Sequence, residues 1–86
     1  MMFEYDKLKS KVNKEKHGID FVEAQQLWKD PERIVIPTKF LYESRYVLIG
    51  KNKNKHWAAV FTYRNNNVRL ISVRRARKNE KEIYES

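Results

Sequence analysis

The sequence predicts an α+β fold: two N-terminal helices packed on an antiparallel sheet of about four to five strands, closed by a short C-terminal helix. Three features point there. Apolar residues up to Trp28 recur at the helical spacings of three and four. From Arg33 the period becomes two and β-branched residues take over. The later apolar runs are separated by KNKNK (Lys51 to Lys55) and NNN (Asn65 to Asn67), and asparagine tolerates the left-handed backbone of hairpin turns. The 86 residues form a single domain, 1–86, near the size at which one core barely suffices.

Phe3, Glu4 and Tyr5 alternate ahead of Asp6, which suits a short edge strand followed by a helix N-cap. The helix over Lys7 to His17 has a thin apolar stripe of Tyr5, Leu8 and Val12. Lys7, Lys9, Lys11, Lys14 and Lys16 occupy the rest of its circumference, as on a surface helix with a basic outer face. Gly18 permits the positive φ that ends it. Asp20 with Glu23 then forms a capping-box pattern for a second helix, about Phe21 to Lys29, with Phe21, Ala24, Leu27 and Trp28 on its stripe. Pro31 closes that helix. Ile34, Val35 and Ile36 before Pro37 read as a short strand at a sheet edge, where a proline removes no ladder hydrogen bond. Tyr46 to Gly50, Trp57 to Arg64 and Val68 to Arg75 follow as successive antiparallel strands. Lys78 to Ser86 is a short helix or a frayed tail.

If Asn65 to Asn67 is a three-residue loop, Phe61 meets Ile71, Ala59 meets Val73 and Trp57 meets Arg75 on the face that buries the core. Tyr63, Arg69 and Arg75 then lie toward the helices. The opposite face carries Ala58, Val60, Thr62 and Arg64 beside Val68, Leu70, Ser72 and Arg74.

Nineteen Lys and Arg against eleven Asp and Glu give a formal net charge of +8, an excess that suits nucleic acid or an acidic protein partner. Four of the arginines fall in VRLISVRRAR, Val68 to Arg77. The chain has no cysteine, which excludes disulfides and thiolate metal sites and suits a reducing, cytoplasmic setting. The longest apolar run, Trp57 to Phe61, is five residues, so no membrane span is expected. With two His and two Gly in all, there is no Gly-rich phosphate loop, no metal-binding His cluster and no Ser/His/Asp signature. No cofactor or metal is expected. Arg, Lys, His and Tyr remain, and these can cleave RNA: the ribose 2′-hydroxyl attacks its phosphate while a base takes the proton, cations hold the phosphorane charge and an acid protonates the leaving 5′-oxygen.

Phe3-Glu4-Tyr5-Asp6, Asn13, Lys16-His17-Gly18-Ile19, Phe21, Ala24, Glu43-Ser44-Arg45, Gly50 and Arg69-Leu70-Ile71-Ser72-Val73-Arg74-Arg75-Ala76, with Glu80 and Tyr84, together resemble the BrnT family of type II toxin-antitoxin toxins. Tyr5 departs from the family's usual Trp, and Val73 and Arg75 flank Arg74 atypically. The resemblance implies a RelE-like fold and a ribonuclease that arrests translation. It also implies neutralisation by a BrnA-like DNA-binding antitoxin, through which alone the toxin reaches operator DNA.

Arg74 matches the motif's late-strand arginine and is the first candidate for a phosphate clamp. Arg64 shares its face but lies six residues from Arg74's level, about 20 Å, and so suits a second contact along the RNA. Arg45 joins that face if the KNKNK turn has four residues and leaves it if the turn has five. Lys16 and His17 are candidates for proton transfer, or simply complement the helix dipole. Tyr84 either stacks on a base or docks the tail. Asn13 ties the helix end to a loop. A non-catalytic basic nucleic-acid-binding module is the competing class, and a pure interaction protein with an acidic partner is the third. Stacking aromatics on the mixed face would mark the module, yet Trp57, Phe61 and Tyr63 fall on the core side.

Overall fold

The computed structural model describes residues 2–39 and 42–86, which build an α+β fold from a five-stranded mixed sheet and three helical segments. In chain order these are β1 (Phe3–Glu4), α1 (Lys7–His17), a 3-10 helix (Glu23–Lys29), β2 (Ile34–Thr38), β3 (Arg45–Asn52), β4 (Lys55–Arg64), β5 (Asn67–Arg75) and α2 (Lys78–Glu85). The strand order is β1-β5-β4-β3-β2, with Pro37 on the edge strand β2 as expected. Among the described residues no helix is long and apolar enough to cross a membrane.

The RelE-like arrangement of two N-terminal α-helices on an antiparallel sheet does not form, because the second helix is a 3-10 segment and β1 runs parallel to β5. The capping box does form, with Glu23 N donating to Asp20 Oδ1 (2.7 Å) and Asp20 N to Glu23 Oε1 (3.0 Å). Phe21 within the box and Ala24 and Leu27 in the helix recur every third residue and are all fully or nearly fully buried, so one edge of a three-residue-per-turn helix meets the sheet. Gly50 lets that helix close in: a Cβ there would lie 3.1 Å from Leu48 Cδ2 and 3.4 Å from the Leu27 carbonyl oxygen.

The core face of the sheet presents Leu48, Trp57, Ala59, Phe61, Val68, Leu70 and Val73 to Ile19, Phe21, Ala24 and Leu27. Trp28 bridges Phe3 and Phe61 edge to face, each at 5.1 Å between ring centres.

Both hairpin turns are shorter than expected. Lys53-Asn54 and Asn65-Asn66 all have positive φ, so Asn52 pairs with Lys55 and Arg64 with Asn67 across two-residue turns. The second turn puts the β4–β5 register one residue off the expected one until a bulge at Ile71 restores it. Phe61 therefore meets Leu70, whereas Ala59–Val73 and Trp57–Arg75 pair as expected. Between turn and bulge every β5 side chain changes face. Val68 and Leu70 enter the core, and Arg69 turns to the opposite face beside Thr62.

The helix α1 has the expected bounds, capped by Asp6 Oδ1 accepting from Leu8 N (2.8 Å) and Lys9 N (3.1 Å) and ended by Gly18 at φ 83°. Its orientation is not the expected one. Leu8 and Val12 point outward, 70% and 50% exposed, while Ser10 and Asn13 are buried. Ser10 Oγ accepts from Phe21 N (2.9 Å). Asn13 Nδ2 donates to the Ile19 and Val73 carbonyls (2.7 and 2.9 Å) and Asn13 Oδ1 accepts from Val73 N (3.2 Å). The helix thus lies along the β5 edge, where Asn13 supplies the ladder bonds that the two-residue β1 is too short to reach.

Candidate active site

The face of the sheet opposite the core divides into two ends. At one end, α2 packs against β3, and Ile49 and Ala58 on this face are fully buried. Arg74, which pairs in register with Ala58, is engaged there: its Nη1 and Nη2 donate to Glu80 Oε1 and Oε2 (2.8 and 3.0 Å), and Arg77 N donates to the same carboxylate (2.8 Å). The Arg74 hydrogen bonds hold the Glu80 carboxyl below its ordinary range. To hold a phosphate, Arg74 would have to leave Glu80. Tyr84 is docked, its hydroxyl donating to Asp30 Oδ2 (2.7 Å) and its ring edge-on to His56. Burial and that hydrogen bond push the Tyr84 phenol up to about 12. His56 in turn contacts Glu85 (2.8 Å).

At the other end lies a groove of about 420 Å³ lined by Lys9, Glu43, Arg45, Thr62, Arg64, Arg69 and Ile71, with Tyr63 also bordering it. The register that pairs Tyr46 with Phe61 sets Arg45 beside Thr62, and Thr62 pairs with Arg69. Arg45, Thr62 and Arg69 therefore form a row across β3, β4 and β5. Two guanidinium side chains rise from backbones about 10 Å apart with a small residue between them. Thr62 is buried and tied down by its Oγ1 donating to Ser44 O (2.6 Å).

Each wall has a local cause. Arg45 is on this face because the two-residue Lys53-Asn54 turn has the parity of the four-residue alternative. Its Nε and Nη2 donate to Glu43 Oε2 (3.1 and 3.0 Å), which holds the carboxylate at the groove. Arg69 is on this face because of the Ile71 bulge, and Glu4 approaches it at 3.6 Å. Lys9 enters from α1. The exposed Arg64 side chain makes no hydrogen bond or ion pair among the described residues. The rings of Tyr63, Tyr46 and Phe61 contact one another on the core face, so β4 turns no aromatic ring toward the groove's face.

Of the residues singled out in the sequence, the groove gathers Arg45 and Arg64. Arg74 lies about 20 Å away along the sheet, and Tyr84 is beyond it, on α2 itself. Lys16 and His17 end α1, with His17 about 12 Å along the axis from Lys9. Three charged wall residues, Glu43, Lys9 and Arg69, are not among the sequence candidates. Glu43 was visible only as a motif member, Lys9 as one of many lysines, and Arg69 was assigned to the wrong face for want of the bulge. Four cations and one carboxylate, Glu43, line the groove; Arg45 is paired with Glu43 and Arg69 with Glu4 outside the lining, and the balance stays positive, as an anion would require. Among the described residues no three His, Cys, Asp or Glu side chains converge as a metal site requires.

Residues 5–80 match the family model described as the ribonuclease toxin, BrnT, of type II toxin-antitoxin systems. No curated protein matches the chain.

Proposed function

The chain belongs to the BrnT family of ribonuclease toxins of type II toxin-antitoxin systems, and from that premise we propose that its cationic groove binds and cuts RNA by a metal-independent, RNA-interferase mechanism. The observation that carries this reading is the convergence of Lys9, Arg45, Arg64 and Arg69 on one groove that also holds Glu43. The arginines bind the scissile phosphate and take up the charge of the pentavalent phosphorane. The Glu43 carboxylate accepts the proton of the 2′-hydroxyl as that oxygen attacks phosphorus. The P–O5′ bond breaks, Lys9 supplies a proton to the departing 5′-oxygen, and a 2′,3′-cyclic phosphate and a 5′-hydroxyl result. Arg74, Lys16, His17 and Tyr84 act outside this chemistry, Arg74 and Tyr84 by seating α2. The biological setting we propose is cytoplasmic arrest of translation, relieved by a BrnA-like antitoxin that carries the pair to operator DNA.

The test is cleavage of labelled RNA in EDTA by the wild-type protein and by Glu43→Gln, whose amide oxygen still accepts from Arg45. Wild-type cleavage in EDTA, lost about 10²- to 10⁴-fold in Glu43→Gln with RNA binding kept, is the expected result. Cleavage that stops in EDTA, or an undiminished Glu43→Gln, contradicts the mechanism. RNA binding with no cleavage by the wild type would leave the chain a binding module.

A further inference from the structure

We propose that the outward face of α1 docks an acidic amphipathic helix of the antitoxin, and that the docked helix covers the groove at its Lys9 wall. The inference rests on the reading of the chain as a toxin with a protein antitoxin. Its starting point is the reversed polarity of α1. A surface helix normally hides its apolar stripe, yet α1 is seated on the sheet through Ser10 and Asn13 and leaves Leu8 and Val12 outside. These two, four residues apart, form one ridge.

The flanks of the ridge are fixed by contacts. Lys14 turns toward the 3-10 helix, where its Nζ meets Glu23 at 2.8 Å, and Lys9 turns the other way to line the groove. Lys16, seven residues from Lys9, shares the Lys9 flank. Lys7 and Lys11 lie on the Lys14 side of the ridge, and Glu15, the only acidic residue in the helix, lies seven residues past Leu8 and three past Val12 and so ends the ridge at its C-terminal side. An aliphatic ridge between two rows of lysine offers RNA phosphates nothing at its centre. A helix with apolar residues at i and i+4 set among Asp and Glu matches both the ridge and the charge. Because Lys9 belongs to both surfaces, such an occupant competes with RNA for that lysine and stands over one wall of the groove.

The experiment measures affinity of the full-length chain for its cognate antitoxin, alongside RNA cleavage. In Leu8→Asp/Val12→Asp, both exposed positions, the thermal midpoint should hold. Antitoxin affinity should fall about a hundredfold or more, leaving a cleavage activity that the antitoxin no longer suppresses. Lys11→Glu, outside the groove, should weaken the antitoxin about tenfold with cleavage unchanged. Wild-type antitoxin affinity in the double variant overturns the inference, as does a wild-type chain that does not bind the antitoxin. Loss of RNA binding with antitoxin binding kept also overturns it and makes the face a nucleic-acid contact. A chain that binds the antitoxin through these residues but cuts no RNA supports the docking and sinks the catalytic reading instead.

Discussion

Asn13 shows how much of this structure rests on single side chains. Its amide bonds the carbonyl of Ile19 and both backbone groups of Val73, so one residue ties α1 to the loop that follows it and finishes the β5 edge. The sequence suggested the first role and not the second, since nothing local to Asn13 announces a strand sixty residues away. Asn13→Ala leaves those groups without partners in a buried site and should cost about 2–4 kcal/mol. Urea unfolding checks it, and a loss under about 1 kcal/mol would contradict it. Arg64 is the opposite case. It has no partner among the described residues, so its removal should leave stability unchanged within about 0.5 kcal/mol.

At the scale of elements, two devices shape the outer face of the sheet. The Ile71 bulge decides which β5 side chains face the groove, and it was hidden because its register error cancels that of the shorter Asn65-Asn66 turn. The far pairs, Trp57–Arg75 and Ala59–Val73, come out the same either way. Only the span between turn and bulge differs, and Arg69 lies within it. The other device is α2, which contains no buried residue and is held by Arg74–Glu80, Tyr84–Asp30 and His56–Glu85. Glu80 is lowered from its ordinary 4.5 by Arg74. Asp30 is lowered from 3.8 despite partial burial, by hydrogen bonds from Tyr84 and from the Glu32 and Lys51 amides. Depressed carboxyls stabilise the docked state above their ordinary values and cease to do so as pH falls through the folded ones. The Tyr84 phenol, raised from 10.0 to about 12, stabilises docking below 10 and loses that contribution as pH rises toward 12. Docking of α2, followed by limited proteolysis or by the amide signals of Lys78–Glu85, should therefore fail at both extremes. Tyr84→Phe should abolish the alkaline limb and keep the acid one, and an alkaline limb that persists would contradict the assignment.

For the whole molecule, the fold class, most of the strands, the edge position of β2 and the bounds of α1 were legible because they depend on local period and capping. The parallel β1, the 3-10 helix and the outward Leu8 and Val12 were not, because each is set by what lies across the sheet. The same division governs the site. Excess charge and the arginines were readable, whereas their gathering into one groove needed the register. The topology sends Arg45, Arg64, Arg69 and Lys9 to one end of the sheet and gives the other end, with Arg74, to α2. The central claim is that the first end does the cutting. RNA cleavage by Arg64→Ala tests it most directly, because this variant removes a groove cation and no stabilising contact. The account predicts a rate lower by about 10²–10³ at an unchanged unfolding midpoint, and wild-type cleavage by Arg64→Ala would contradict it.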